Sequence, residues 1–180
     1  MPGVMGTASV PSPRTVCEQL KTAYARVPSY SMLTLLGAAV LGVVLWPVTG
    51  RLLLISWLGF MALVTLGGLL SAQAYQRVAE PASRLMWWRS LLVVGAGAAG
   101  IGWGAAGALV FAADAGPHHL FGALVLGSMV AGTATYMSTV MSACTAFLLA
   151  SWLPLTTWLL LQDEPTHALI AALEIGRAHV

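Results

Sequence analysis

Five long apolar stretches run along this chain, at residues 32–48, 52–72, 91–113, 120–136 and 140–161, each closed by a short polar break. Crossing a hydrocarbon layer about 30 Å thick takes roughly 20 helical residues at about 1.5 Å each. The pattern therefore predicts an all-α, polytopic helical membrane bundle with five complete transmembrane helices. A sixth apolar run starts near His167 and meets the end of the sequence, so a truncated sixth helix is expected. Ahead of the first run, residues 1–13 are rich in Gly, Pro, Ser and Thr, a composition that buries little and favours disorder. Val16, Leu20, Tyr24 and Val27 then recur at helical spacing opposite Glu18 and Lys21. This predicts a short amphipathic helix at the membrane surface, ended by Pro28. Residues 1–31 are read as a tail and 32–173 as the membrane domain.

The breaks between runs give an orientation. Trp46 and Pro47 close the first run, with Arg51 just beyond, and residues 77–89 read as a polar loop that holds Glu80, Arg84, Trp87 and Trp88. If the spans alternate, Arg14, Lys21, Arg26, Arg77, Arg84 and Arg89 fall on one side and only Arg51 on the other. Cytoplasmic loops carry the excess of Lys and Arg, which predicts a cytoplasmic N-terminus. Asp114, Asp163 and Glu164 then face outward, and a completed sixth span returns the chain to the cytoplasm.

Composition sharpens this picture. Of the 180 residues 58% are hydrophobic and 8% charged, and mean hydropathy is +0.84. An average soluble domain has about 25% charged residues, so the expected partner of this surface is the lipid bilayer. A net charge of +2, with arginines placed singly, gives no basis for nucleic-acid binding. Cys17 on the tail and Cys144 in an apolar run are not expected to pair.

Candidate chemistry is sparse. Gly95, Gly97 and Gly100 match a dinucleotide-binding spacing, but inside an apolar span there is no strand-turn-helix switch to give the motif meaning. Gly100 and Gly104 instead form a small-residue face of the kind that lets membrane helices approach closely, with Trp103 rising from it as a packing knob or the wall of a ligand cavity. Gly127 and Gly132 repeat the theme in the fourth run, and Pro154 between Trp152 and Trp158 is expected to kink the fifth. Asp114, His118 and His119 read as a solvated turn; imidazole and carboxylate are also metal ligands, and histidines titrating near neutrality make the turn a candidate pH-responsive element. Thr133, Thr135, Tyr136, Ser138, Thr139, Ser142 and Thr145 make a polar cluster whose hydroxyls are expected to bond carbonyls one turn back, or to line a small-molecule pocket.

Ionisable residues do not occur in the core of any complete span, which disfavours a proton-coupled transporter or a voltage sensor. Without a nucleophile triad, a His-Glu-x-x-His motif or a phosphate-binding Gly-Lys-Ser loop, catalysis within these residues is not expected, and neither is a cofactor.

Several short motifs occur in a telling order: Glu18-Gln-Leu-Lys-Thr-Ala-Tyr24, Leu45-Trp46-Pro47, Trp88-Arg89, Gly100-Ile-Gly-Trp103-Gly104, Leu126-Gly-Ser-Met-Val-Ala-Gly132 and Leu153-Pro154-Leu155. The series resembles the N-terminal membrane region of bacterial multidomain signalling proteins, chiefly hybrid sensor histidine kinases and also diguanylate cyclases and cyclic-di-GMP phosphodiesterases. That resemblance implies cytoplasmic signalling domains after the sixth helix and a homodimer formed through them. The family's phosphoacceptor histidine and nucleotide-binding boxes have no counterpart here, so kinase and cyclase outputs both stay open. Residues 175–180, Ile-Gly-Arg-Ala-His-Val, resemble the in-frame translation of a short-read sequencing adapter, and 174–180 are read as non-native. A small transporter or channel is the reading from a different class.

Overall fold

A computed structural model describes residues 13–78, 84–112 and 116–160. Their regular structure is helix throughout: α1 (Pro13–Leu45), α2 (Arg51–Arg77), α3 (Leu85–Ala112), α4 (Gly116–Met137) and α5 (Met141–Leu160). By length and hydropathy three of them can cross a membrane, over Arg14–Leu45, Arg51–Arg77 and Leu85–Phe111. Leu124–Met137 and Met141–Pro154 are shorter apolar helical stretches. The expected sixth helix, Asp114 and residues 174–180 lie outside the described residues.

The first helix corrects the expectation of a separate surface helix ended at Pro28. α1 runs unbroken through that residue. A proline inside a helix removes one hydrogen bond and clashes with the preceding turn, at about 3 kcal/mol. Packing on both sides of it outweighs the penalty. Leu20 and Tyr24 before Pro28, and Ser31, Thr34, Ala38, Leu41 and Leu45 after it, are all buried and form one continuous stripe at steps of three, four and seven residues. At about 1.5 Å per residue the 33-residue helix is about 50 Å long, longer than a hydrocarbon layer. The excess falls on the end that carries Glu18, Lys21 and Arg26. Leu45 O then accepts from the N–H groups of Val48 and Thr49, at 3.1 and 2.9 Å, and the chain turns back into α2.

Two other polar breaks are more helical than expected. α2 extends through Gln73, Tyr75 and Gln76, and α3 already includes Trp87, Trp88 and Arg89, so the loop expected over 77–89 shrinks. His118 and His119 fall in the first turn of α4 rather than in a turn before it.

α3 is the centre of the bundle. It packs most extensively on α5, and also meets α1, α2 and α4. A stripe of Trp88, Leu92, Ala96, Ala99, Trp103, Ala106 and Val110 is buried along its length, and small residues fill the faces between. The periphery is apolar as well: Met32 and Leu52 are 76% and 85% exposed, in company with Leu36, Val43, Leu63, Val94 and Leu149. Lipid stabilises a surface of this kind, and water does not.

Candidate functional site

The glycines of α3 face different neighbours. At Gly100 a β-carbon would run into the carbonyl oxygen of Phe147 and stand 3.0 Å from Ala150 Cβ. One turn on, at Gly104, it would meet the carbonyl oxygen of Ser151 and stand 2.8 Å from Pro154 Cδ. Backbone therefore lies directly on backbone where α3 crosses α5, the arrangement that small residues four apart permit. α5 is helical through Pro154, whose ring occupies the space that Gly104 leaves open. Gly102 turns toward α2, where Met61 and Phe60 fill the place of a side chain. Gly127 has nothing within 4 Å of its missing β-carbon, and Gly132 only Leu33 at 3.8 Å, so neither marks a close crossing.

Trp103 points away from the α5 interface. It is 2% exposed, with its ring edge-on to Trp57 at 6.3 Å and its Cη2 atom 3.1 Å from the β-carbon position of Gly37 on α1. Trp57 Nε1 donates to Gly102 O at 2.7 Å, whereas the indole N–H of Trp103 is buried without a partner among the described residues. Trp103 is thus a central wedge among α1, α2 and α3. Its indole N–H is the unpaired donor of a contact in which the Trp57 indole is satisfied.

Near the middle of α1, a half-open pocket of about 60 Å³ lies between α1, α2 and α3. Hydroxyls line it: Tyr30, Ser31 and Thr34 on α1, Thr65 and Ser71 on α2. Thr65 and Ser71 are bonded to the Met61 and Gly68 carbonyls at 2.7 Å. Thr34 Oγ1 is buried with no partner in hydrogen-bond geometry among the described residues. Thr133 on α4 donates to Met129 O at 2.7 Å, which commits its only proton, so Tyr30 is the donor in the 3.1 Å Tyr30–Thr133 contact. A pocket of this size has room for water or a comparably small hydrogen-bonding molecule. Sequence reading passed over Ser31, Thr34 and Thr65. Their signal was weak, since only Ser31 and Thr34 share a helix face, and their convergence with Thr65 depends on how α1 meets α2.

Within the expected polar cluster, Thr135 and Thr145 bond carbonyls one turn back, Ala131 O at 3.0 Å and Met141 O at 2.9 Å. Tyr136 packs against Tyr30 with ring centroids 6.0 Å apart. Ser138, Thr139 and Ser142 gather at the α4–α5 connection. Cys17 and Cys144 are both free. The side chains of His118 and His119, like Asp114, lie outside the described residues.

An aromatic cluster locks the opposite end of α3. Tyr24 stacks on Tyr75 with ring centroids 4.4 Å apart, Trp88 stands edge-on to both, and Tyr24 Oη donates to Trp88 O at 2.9 Å. These contacts join the N-terminal part of α1, the C-terminal end of α2 and the start of α3. Arg89 Nε reaches Ser142 Oγ at 3.3 Å and adds the start of α5 to the same pole. Successive helices therefore run in opposite directions. No family model matches the chain, and neither a curated protein nor a solved structure shows significant similarity to it.

Proposed function

We propose that this chain is the membrane anchor and sensor region of a bacterial signal-transduction protein, with a histidine kinase as the leading output and a cyclic-di-GMP enzyme as the alternative. In this reading all five helices span the inner membrane, a sixth follows, and the N-terminus is cytoplasmic. One observation carries most weight: every buried polar residue in the described bundle is a serine or threonine, with no buried acid or base. Ion-coupled transport and voltage sensing need ionisable groups within the membrane, so a bundle built this way suits anchoring and packing-based sensing better than transport. Antiparallel packing supports the orientation, because the helix ends that carry Arg14, Lys21, Arg77, Arg84 and Arg89 gather at one pole and Arg51 sits at the other. A stimulus that alters the α3–α5 crossing or fills the hydroxyl-lined cavity would shift helix packing, and the sixth helix would hand that shift to a cytoplasmic dimer.

Sequencing the source locus from Ala171 onward tests this directly. The expected result is a frame that continues past Leu173 without residues 175–180, through a helical linker into a kinase or cyclase domain. A native frame that stops at Val180, together with solute flux from the purified protein in vesicles, would replace this reading with a small transporter or channel.

A further inference from the structure

A second cavity, of about 210 Å³, lies at the pole where α1, α3 and the α4–α5 connection meet. Gln19 from α1, Arg89 from α3, Ser138 and Thr139 from the connection, and Ser142 from the start of α5 supply its polar wall, and Leu20 is part of its apolar floor. Arg89 is partly buried, and its hydrogen bond to the neutral hydroxyl of Ser142 runs through Nε. Among the described residues no carboxylate lines the cavity. A guanidinium held in a partly desolvated site needs an anion to offset its charge, and its planar fork suits the paired oxygens of a phosphate.

Two further observations point the same way. α5 begins at Met141, and the N–H groups of Ala143 and Cys144 bond Val140 O at 2.9 and 3.2 Å; Met141 and Ser142, ahead of them at the positive end of the helix dipole, line the same space. Water takes about 30 Å³ in the liquid, so the volume admits a group well beyond one or two waters. Arginine, the Ser142 hydroxyl, a side-chain amide and a helix N-terminus together make a wall of donors around one fixed positive charge.

We propose that this cavity binds a phosphate group, supplied by the headgroup of an anionic phospholipid or by a free phosphate. Arg89 holds the phosphoryl oxygens, the Ser142 hydroxyl and the Gln19 amide donate to them, and the apolar floor takes the adjoining carbon chain of a lipid. Placing the site in the cytoplasmic leaflet rests on the orientation proposed above; phosphate binding itself does not.

The test uses the full chain, purified in nonionic detergent and in nanodiscs of phosphatidylcholine with or without phosphatidylglycerol. Native mass spectrometry counts retained lipid, and calorimetry follows titration with inorganic phosphate. Retention of phosphatidylglycerol over phosphatidylcholine, weakened about tenfold or more by Arg89→Gln, supports a lipid headgroup. Binding of inorganic phosphate with the same dependence on Arg89, without lipid preference, supports a free phosphate. Circular dichroism and a melting curve check the fold, and Ser142→Ala carries the test if Arg89→Gln does not fold. The proposal is overturned if neither ligand distinguishes the wild-type chain from the folded variants. Because detergent binding is indifferent to topology, that failure is separable from an error in orientation.

Discussion

Gly104 of α3 lies against the main chain of Ser151 on α5, with Pro154 Cδ only 2.8 Å from the point where a β-carbon would stand. In lipid, apolar burial gives little drive for helices to associate, so close packing and backbone contact must supply it. Gly104→Ala, and equally Gly100→Ala, should separate α3 from α5 and cost about 1–3 kcal/mol as an overpacked contact. Gly127→Ala adds a methyl to open space and should be neutral, or stabilising by up to about 1 kcal/mol. Unfolding curves in a fixed detergent measure all three; a loss at position 127 as large as at 104 would remove the distinction between crossing glycines and peripheral ones.

The aromatic cluster predicts two separable losses at Tyr24. Tyr24→Phe keeps the 4.4 Å stack on Tyr75 but deletes the 2.9 Å hydrogen bond to Trp88 O. About 0.5–1.5 kcal/mol should go with that bond. Tyr24→Ala also removes the ring and leaves a cavity, for a total of about 3–5 kcal/mol. Equal effects from the two substitutions in equilibrium unfolding would mean that the ring contributes nothing beyond its hydroxyl.

That cluster also explains what could be read from the residues and what could not. Apolar runs such as 52–72 announce helices, because crossing a hydrocarbon layer demands their length and composition. The break expected at Pro28 follows from local preference alone, and local preference loses once Tyr24 finds Tyr75 and Trp88, more than 45 residues away in sequence. Likewise, the spacing of Gly100 and Gly104 puts both on one face, yet nothing local says that the face meets α5, or that Trp103 turns from it toward Gly37. Gly127 and Gly132, five residues apart rather than four, do not share a face, and neither meets a close neighbour. Arg89 read as part of a loop; its role emerges when α3 is extended by two turns and the α4–α5 connection arrives beside it.

Gly37, Trp103 and Met129 form a three-helix contact whose members should be energetically coupled. A β-carbon at Gly37 would collide with the Met129 methyl group and stand 3.1 Å from both Met129 Sδ and Trp103 Cη2. Methionine is the flexible member and the indole the rigid one. Gly37→Ala should therefore be destabilising alone and much less so in a Met129→Ala background, with a coupling energy of about 0.5–3 kcal/mol in a double-mutant cycle. Additive effects would show that Met129 already moves aside freely.

Orientation can be read by chemical labelling, because the two poles of the bundle carry exposed, structurally tolerant positions. Gly50 caps α2 with φ −56° and has no atom within 4 Å of its β-carbon position, so Gly50→Cys should fold normally. Val78 caps the other end of the same helix in extended conformation and is 37% exposed. In a Cys17→Ser, Cys144→Ser background, a membrane-impermeant maleimide applied to spheroplasts should modify Gly50→Cys at once and Val78→Cys only after permeabilisation. α2 has the length and hydropathy to cross a membrane, so the two sites must report opposite sides if it does. The reverse pattern would place Arg77, Arg84 and Arg89 outside and break the link to a cytoplasmic output, and labelling of both sites in intact spheroplasts would show that α2 does not span.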